Sequence, residues 1–218
     1  TSTVYRQASM DSAPEAARAD PDNRLLWRQR LRRLESEVVR DSILAVSGKL
    51  DCSAGGAPVP VEARPDGSFV IREKGLPTPT SQWRRSVYLL ARRNYHPTLL
   101  NVFDQPNLTT NCTCRTPSAV VLQSLTMLND RVVLEQAEFL AERVARSAGT
   151  AEGRIDAAFQ IVLARRPRPR ETGWCAELLR RHGERYQAQK LPPDQAAQKA
   201  LAHLCHTLLN TSEFLYAP

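Results

Sequence analysis

The sequence lacks any apolar run near the roughly 18 to 20 residues that a membrane-spanning helix needs, and no charged-then-apolar signal segment opens it. It also contains no Cys-x-x-Cys-His sequence, the attachment site of c-type haem. Of its 218 residues, 42% are apolar and 24% are charged, which is ordinary globular composition and excludes disorder, collagen and coiled coil. We therefore expect a globular chain with no transmembrane segment and no cofactor of its own.

Lysine is scarce, with 4 lysines beside 26 arginines in a chain of net charge +7. Such an arginine excess reflects either a GC-rich genome or phosphate recognition, because the guanidinium group binds phosphate in a bidentate manner. The charge is spread out, with +4 in residues 1–110 and +3 in residues 111–218. No aromatic residues that could stack on bases interleave the arginine clusters, which are Arg84-Arg85, Arg92-Arg93 and the set Arg165, Arg166, Arg168 and Arg170. These features predict a solvated, partly acid-paired surface and no nucleic acid as partner.

The cysteines are odd in number: Cys52, Cys112, Cys114, Cys175 and Cys205. At least one thiol must therefore be free or paired outside this chain, and the sequence does not reveal the pairing. Cys112 and Cys114 are separated by one residue, which is too short for the usual zinc or thioredoxin patterns.

Two histidines near the end of the chain form a compact cluster with Cys205. His203 and His206 are three residues apart and share one helical face, but two ligands do not make a zinc site. A third ligand would have to be Cys175 or His182, and nothing in the sequence places either nearby. We predict core packing or surface exposure for this cluster, and no metal site.

The hydrophobic patterns predict a mainly α-helical fold, a helical bundle with a long Gly/Pro-rich loop region and the option of one short β-hairpin. Residues 1–21 are interpreted as an irregular lead-in. Residues 22–110 are expected to hold a long helix followed by the loop and hairpin region. Residues 111–218 are expected to form the helical bundle and to pack with the preceding part as a single domain.

The first strong element is an amphipathic helix that runs from an N-cap at Asp22 to a terminating glycine at Gly48. Its apolar residues recur at helical spacing and are Trp27, Leu31, Leu34, Val38 and Ala45. Glycines and prolines then predict a long ordered loop over 49–83, of the kind that often covers a site or docks onto another module. Within it, residues 68–72 predict a short strand. Residues 87–90 either pair with that strand as a hairpin or begin a helix.

Helical periodicity dominates after a turn at 104–107. Thr116 or Ser118 can cap a helix that has Pro117 in its first turn. Its buried side is expected to hold Val120, Leu122, Leu125 and Leu128. A break is expected at Asn129-Asp130. The next helix continues to about 148 with an inward side of Val133, Ala137, Leu140 and Val144. Further helices are predicted over 151–165, 170–189 and 193–212, with Ile155, Ala158, Phe159 and Val162 inward in the first and Ala197, Leu201, Leu204 and Leu208 inward in the last.

Glu37 and Asp41 lie one turn apart on the predicted first helix, as an acid–base pair would require. Arg33 and Arg40 are within reach of them. Like charges at this spacing are destabilising unless they are compensated, so we favour a salt-bridge network that fastens the Gly-rich loop. The sequence has no nucleophile elbow and no phosphate loop. Whether the chain is an enzyme stays open.

Several segments together resemble one family. They are YRQAS at 5–9, DPDNRLLWR at 20–28, the arginines and acids of 33–41, SGKLD at 47–51 before Gly55-Gly56, RRSVY at 84–88, residues 103–104, 114–115 and 123–129, Arg166-Pro167 with Glu171, and LNTSEFLY at 209–216. This pattern is similar to the planctomycete-type C-terminal domain of unknown function found in planctomycete cytochrome c-associated multidomain proteins. The likeness runs in order along nearly the whole chain.

The resemblance implies an exported protein, periplasmic or at the cell surface. It further implies an upstream haem-binding cytochrome c module and a second domain of unknown function, in some members with a lectin-like insert. A start at Thr1 without methionine fits a piece of a longer polypeptide. We therefore expect a structural or interaction module whose 49–83 loop and 104–118 segment dock onto the upstream domains of the same polypeptide.

The residues expected to form buried or interfacial ion pairs are Glu37, Arg40, Asp41, Arg84, Arg85, Asp104 and Arg115. The alternative is a domain that binds or processes polysaccharides, with glycans as partners and with Glu37, Asp41 and Asp104 lining a cleft. A third interpretation, nucleic acid binding, predicts an affinity that falls steeply with salt.

Overall fold

The computed structural model of the chain describes residues 9, 13–72, 74–92, 96–106, 115 and 118–217. The fold is mainly helical, as the sequence predicts, with two small antiparallel two-stranded sheets among these residues. The helices are α1 (Pro14–Ala19), α2 (Ser36–Ser47), α3 (Thr98–Val102), α4 (Val121–Asn129), α5 (Arg131–Ser147), α6 (Ala151–Leu163), α7 (Pro169–Ala188), α8 (Pro193–Leu209) and α9 (Ser212–Leu215). The strands are β1 (Arg32–Arg33), β2 (Val61–Ala63), β3 (Phe69–Ile71) and β4 (Tyr216–Ala217), and two turns of 3-10 helix span Ser81–Trp83 and Ser86–Tyr88.

The hydrophobic core forms where α5 and α8 pack against each other, with α2, α6 and α7 around them. The predicted inward sides of α5 and α6 are confirmed. They consist of Val133, Ala137, Leu140, Val144, Ile155, Ala158, Phe159 and Val162, all of which are buried. No helix in the described ranges combines the length and the apolar character that crossing a bilayer requires.

The predicted inward side of α8 is right for its leucines and wrong for Ala197, which is exposed. The buried alanines are Ala196 and Ala200 instead. Together with Leu204 they are spaced four residues apart, so they form one row along the helix. In the first turn of α8, Ala196 therefore faces the core and Ala197 does not.

The predicted helix from Asp22 is wrong over its first half, because α2 begins at Ser36. Asp20 accepts hydrogen bonds from the backbone N–H groups four and five residues further on, at 2.9 and 2.7 Å. Asn23 and Leu26 adopt positive φ angles of 52° and 56°. Such local side-chain bonds to the backbone compete with helix formation, and residues 20–31 therefore follow an irregular path.

The predicted end of this helix is confirmed. Gly48 adopts the left-handed conformation, with φ of 78°, and its backbone N–H bonds back to the last turn. The lead-in at 1–21 is less irregular than predicted, because α1 occupies its second half. Residues 1–8 and 10–12 lie outside the described residues.

The predicted strand at 68–72 is present as β3, but the predicted partner at 87–90 is wrong. β3 pairs antiparallel with β2, with Val61 opposite Ile71 and Ala63 opposite Phe69. Only residues 64–68 separate the two strands, so pairing them closes a much shorter loop than pairing with 87–90 would. Residues 86–88 form a 3-10 turn, and Leu89 makes a single parallel bridge with Val59.

In helix α4 the buried and exposed sides are the reverse of the prediction. Its buried residues are Gln123 and Met127, and the predicted inward residues are exposed: Val120, Leu122, Leu125 and Leu128. Gln123 can occupy the interior because its amide donates hydrogen bonds to the Val102 carbonyl (3.1 Å) and to Ser118 Oγ (3.2 Å). The most apolar side of α4 is left in contact with solvent.

The predicted caps around α4 are partly right. Ser118 does not cap the helix, which begins at Val121, because its hydroxyl and backbone N–H bond to Asp104 instead. Thr116 and Pro117 lie outside the described residues. The predicted break at Asn129-Asp130 is confirmed, since Asp130 accepts a hydrogen bond from Val132 N–H (2.8 Å) and thereby caps α5.

Candidate functional site

Arg40 on α2 is buried, with 4% of its side chain exposed, and it fastens the loop region to the bundle. Its guanidinium donates hydrogen bonds to the carbonyl oxygens of Arg84 (2.9 Å) and Gln82 (2.8 Å) and to Ser86 Oγ (3.1 Å). The carboxylate of Asp41 lies 3.3 Å away. Burial lowers the pKa of Arg40 to about 10, and the charge of Asp41 offsets only part of this effect. Arg40 is therefore a buried cation held chiefly by backbone carbonyls.

Asp41 holds the start of the second 3-10 turn. Its Oδ1 accepts hydrogen bonds from the Ser86 backbone N–H (2.8 Å) and from the Ser86 hydroxyl (2.7 Å). Glu37, one turn earlier on α2, is bonded to Arg115 instead. The two carboxylates thus have separate partners, which is unlike the shared arrangement of an acid–base pair.

Arg115 lies between two carboxylates. It donates to both oxygens of Glu37, at 2.8 and 3.0 Å, and to Glu35 at 2.9 Å. Burial raises the pKa of Glu37, but the hydrogen bonds from Arg115, from the backbone and from Ser36 together outweigh this effect and lower the pKa. Glu37 is therefore ionised at neutral pH. This contact joins Arg115 to the start of α2.

Arg84 and Arg85 are neighbours in sequence with different surroundings. Arg84 is buried and donates hydrogen bonds to the carbonyl oxygens of Ala57 (3.1 Å), Ser53 (3.3 Å) and Gly55. It thereby holds the Gly-rich loop without an acidic hydrogen-bond partner. Arg85 is exposed, and within the described residues its side chain has no hydrogen bond and no ion pair.

Asp104 is bound by Arg33 and Ser118. Its Oδ2 lies 2.6 Å from the buried guanidinium of Arg33 and accepts the Ser118 backbone N–H at 2.7 Å. Arg33 also donates to the carbonyl oxygens of Phe103 (3.2 Å) and Leu34 (2.8 Å). Burial raises the pKa of Asp104, and the bonds from Ser118 and Arg33 outweigh it, so the pKa lies below its usual value.

Sequence reasoning placed Arg33 near Glu37 and Asp41, but it belongs to Asp104. The roles of Ser86 and Ser118 were not predicted. Each hydroxyl lies far along the chain from the carboxylate that it bonds, and a lone serine carries no sequence signal for such a contact.

A groove of about 760 Å³ lies beside this network. Its walls come from α2, from residues 85–91, from His96 and Pro97, and from Gln105 and Pro106, with Arg115 also lining it. Glu37, Asp41 and Arg85 line it. Asp104 belongs to a smaller cleft formed with Arg32, Arg33, Glu35, Ser36, Phe103 and Arg115.

Two residues that line the groove each carry a buried polar atom with no hydrogen-bond partner in the described part of the chain. These atoms are His96 Nε2 and Gln105 Oε1. His96 is 8% exposed. Buried polar atoms in native proteins are nearly always paired. Three more unpaired ones lie outside the groove: Ser9 Oγ, Arg84 Nε and Gln136 Nε2.

The predicted histidine cluster lies between α7 and α8. His203 Nε2 is 2.5 Å from the Tyr186 hydroxyl, and the rings of His203 and His182 are 4.6 Å apart. His206 contacts the Met127 carbonyl at 2.9 Å instead. Within the described ranges no group of three or more histidine, cysteine, aspartate or glutamate side chains could hold a metal ion.

Three cysteines are free thiols. Cys52 is exposed, whereas Cys175 and Cys205 are buried. Burial raises the pKa of Cys205 to about 12, which makes its thiol unreactive at neutral pH. Cys112 and Cys114 lie outside the described residues.

Comparison with known families gives one match. The family model described as PSD1, Protein of unknown function (DUF1553), matches residues 1–179. The chain belongs to the DUF1553 family. The matched residues of this DUF1553 domain include all seven predicted ion-pair residues, whereas the LNTSEFLY segment at 209–216 lies beyond them. No curated protein and no solved structure matches the chain.

Proposed function

We propose that this DUF1553 domain is a non-catalytic interaction module that docks onto another part of its own polypeptide through the exposed side of α4. The observation that carries the proposal is a row of apolar side chains left in solvent on this helix. The row consists of Val120, Val121, Leu122, Leu125 and Leu128. We call it the α4 patch.

The α4 patch is well suited to binding because it is contiguous. Leu122 and Leu125 are 55% and 50% exposed, lie one turn apart and so face the same way. Single exposed leucines are common, but a continuous apolar row is typical of a docking surface. Burying the exposed part of each leucine would contribute roughly 1 kcal/mol to association.

The arginine network supports a scaffolding role. Three buried arginines donate mainly to backbone carbonyls: Arg33, Arg40 and Arg84. They therefore fix the path of the chain, and most of their N–H donors are already bonded within it. Arg40 holds residues 82–86 against α2, Arg84 holds residues 53–57, and Arg33 holds residues 103–104 and Ser118 beside β1. A rigid surface loses less conformational entropy on binding than a mobile one.

The partner that we propose is the cytochrome c-bearing part of an exported planctomycete polypeptide. This assignment rests on the sequence resemblance, which associates the domain with a haem module. Haem would then be attached to that module, since this chain has no Cys-x-x-Cys-His sequence.

The polysaccharide-processing alternative is less well supported. A glycosidase needs a carboxylic acid whose pKa is raised so that it can protonate the leaving oxygen. The pKa values of Glu37 and Asp104 are both lowered. Each of these carboxylates, and Asp41 as well, is already bonded to an arginine.

The proposal is tested by co-elution of this chain with the separately expressed remainder of its parent polypeptide. We expect a stable complex for the wild-type chain and none for the double variant Leu122→Glu/Leu125→Glu. The matched control is Leu25→Glu, because Leu25 is a leucine that is 85% exposed and lies outside the patch. Equal complex formation by the double variant and the control would contradict the proposal.

A further inference from the structure

Residues 24–31 form an irregular loop with exposed apolar side chains, which we call the leucine loop. Leu25 is 85% exposed, the largest value for any large apolar side chain in the described part of the chain. Leu26 and Leu31 are exposed as well. Scattered apolar residues are ordinary on a protein surface, whereas a local concentration of them marks an interaction site. The leucine loop is therefore a candidate binding surface.

The backbone of the leucine loop is fixed, although its leucine side chains are in solvent. Asp20 accepts a hydrogen bond from the Leu25 backbone N–H at 2.7 Å. The side-chain amide of Asn23 donates to the Arg28 carbonyl at 2.8 Å and so closes the turn. Leu26 has a φ angle of 56°, a conformation that leucine rarely adopts. Such strain persists only where the surrounding structure imposes it, and it is concentrated at functional sites.

The charges of the leucine loop have a positive excess. Three of its arginines are exposed and form no ion pair within the described residues: Arg24, Arg28 and Arg30. Residues 23–34 contain no acidic residue. Of the two acids just before the loop, Asp22 is exposed, whereas Asp20 is buried and accepts two backbone N–H groups. The exposed charge at the loop is therefore positive and favours an anionic partner.

Exposed leucines interleaved with arginines fit the surface of an anionic bilayer better than they fit a protein. At a bilayer surface, apolar side chains enter the edge of the hydrocarbon while arginine head groups stay beside the lipid phosphates. A stable protein interface needs about 20 to 30 residues on each side, far more than this loop provides. A membrane contact instead gains from each buried apolar group and from each cation. Because the loop is already ordered, it also loses little conformational entropy on binding.

We infer that the leucine loop attaches the chain to the surface of a bilayer that contains anionic lipids. Leu25 and Leu26 enter the edge of the hydrocarbon, and the three exposed arginines of the loop contact lipid phosphates. The leucine loop shares no residue with the α4 patch, and this inference does not depend on the proposed docking function.

The test is co-sedimentation of the full chain with two kinds of vesicle. One kind contains equal parts of phosphatidylcholine and phosphatidylglycerol, and the other contains phosphatidylcholine alone. We expect about tenfold or more tighter binding to the mixed vesicles, because each arginine near an anionic surface contributes about fivefold. Added salt should weaken this binding.

Two pairs of variants separate the apolar contribution from the charge. Leu25→Ser should weaken binding to the mixed vesicles about tenfold, since it removes the most exposed apolar group. Its control is Leu134→Ser, at an exposed leucine of α5, which should leave binding unchanged. The charge variants are listed with their control: Arg24→Gln/Arg28→Gln should remove most of the preference for mixed vesicles, and Arg146→Gln/Arg166→Gln, at exposed arginines elsewhere, should keep it.

Several results would overturn the inference. The chain could bind both kinds of vesicle equally, or neither. Leu25→Ser and Leu134→Ser could weaken binding to the same extent, which would indicate general apolar adsorption. Polyglutamate, an acidic polymer without hydrocarbon chains, is a third probe, and binding as tight as that of the mixed vesicles would reassign the loop to acidic polypeptides. All the substituted side chains are exposed, so the variants are expected to fold, and thermal melting checks this.

Discussion

Replacing Arg40 by methionine tests the network that joins the loop region to the bundle. Methionine keeps most of the apolar packing of the arginine stem and removes its charge and its donors. In the folded protein the guanidinium donates to two backbone carbonyls and to Ser86 Oγ at 2.8 to 3.1 Å. Removing it leaves these acceptors without their Arg40 donor and Asp41 without its neighbouring cation, although Asp41 keeps its two hydrogen bonds from Ser86.

The expected loss follows from these contacts. Leaving a buried acceptor without its donor costs about 1 to 3 kcal/mol, and Arg40→Met, which removes the donor of two carbonyls and one hydroxyl, should lower the free energy of unfolding by about 3 to 5 kcal/mol. Since Asp41 lies at 3.3 Å and is only one of four acceptors, a double-mutant cycle with Asp41→Asn should give a coupling of only about 1 kcal/mol. Most of the stabilisation thus comes from backbone carbonyls and not from the ion pair.

Urea unfolding followed by circular dichroism measures both quantities. Arg85→Met is the matched control, because this exposed arginine has no partner in the described residues, and it should change stability by less than about 0.5 kcal/mol. A loss below about 1 kcal/mol for Arg40→Met, which is the range of a surface contact, would show that these bonds do not hold the loop region in place. A coupling indistinguishable from zero would mean that the Arg40–Asp41 ion pair contributes nothing to stability. A coupling equal to the whole loss would mean that the backbone carbonyls contribute nothing, and either result would contradict this prediction.

Three further predictions concern titration and reactivity. Hydrogen bonds from Arg165 lower the pKa of Glu171 from 4.5 to about 2. The contribution of Glu171 to stability is therefore complete above pH 4.5 and is lost as the pH falls towards 2. The urea midpoint should fall less between pH 5 and pH 3 in Glu171→Gln than in the wild type, and identical pH profiles would contradict this. Burial lowers the pKa of His203, and the electrostatic effect of His182 lowers it further. The stability that His203 contributes is therefore present above its ordinary pKa of 6.5 and is lost as the pH falls below it. The melting temperature should therefore drop less from pH 7.5 to pH 5.5 in His203→Gln than in the wild type, and an equal drop would count against this. In the native protein a thiol reagent should label Cys52 and leave Cys205 unmodified until denaturant is added, as peptide mass spectrometry would show; early labelling of Cys205 would contradict its burial.

The helical half of the fold could be predicted because its periodicity is strong. In α5 and α6 every predicted inward residue is buried, since tertiary packing follows the apolar stripe. The region before Ser36 was mispredicted because Asp20 and Asn23 bond to the local backbone and stop a helix that the apolar spacing favours.

Helix α4 shows why periodicity alone is insufficient. Its apolar row faces solvent and its buried side contains Gln123, because long-range partners on Val102 and Ser118 satisfy the buried amide. In a sequence, an apolar row that binds a partner cannot be distinguished from one that packs into the core.

The pairing of the candidate residues could not be predicted from the sequence. Five of them lie beside an opposite charge: Glu37, Arg40, Asp41, Asp104 and Arg115. Arg84 bonds to backbone carbonyls instead, and Arg85 has no side-chain partner among the described residues. Their partners depend on backbone carbonyls and serines that lie far along the chain, which no local pattern encodes. The groove with His96 and Gln105 arises from the same long-range packing.

Hydrogen exchange of the α4 amides tests the central claim most directly. The chain is measured alone and with the rest of its parent polypeptide. We predict that amides over 121–129 exchange at least about tenfold more slowly in the mixture, since docking suppresses local opening, and that amides of α7 are unchanged. Unchanged exchange over 121–129, or protection confined to other helices, would contradict it.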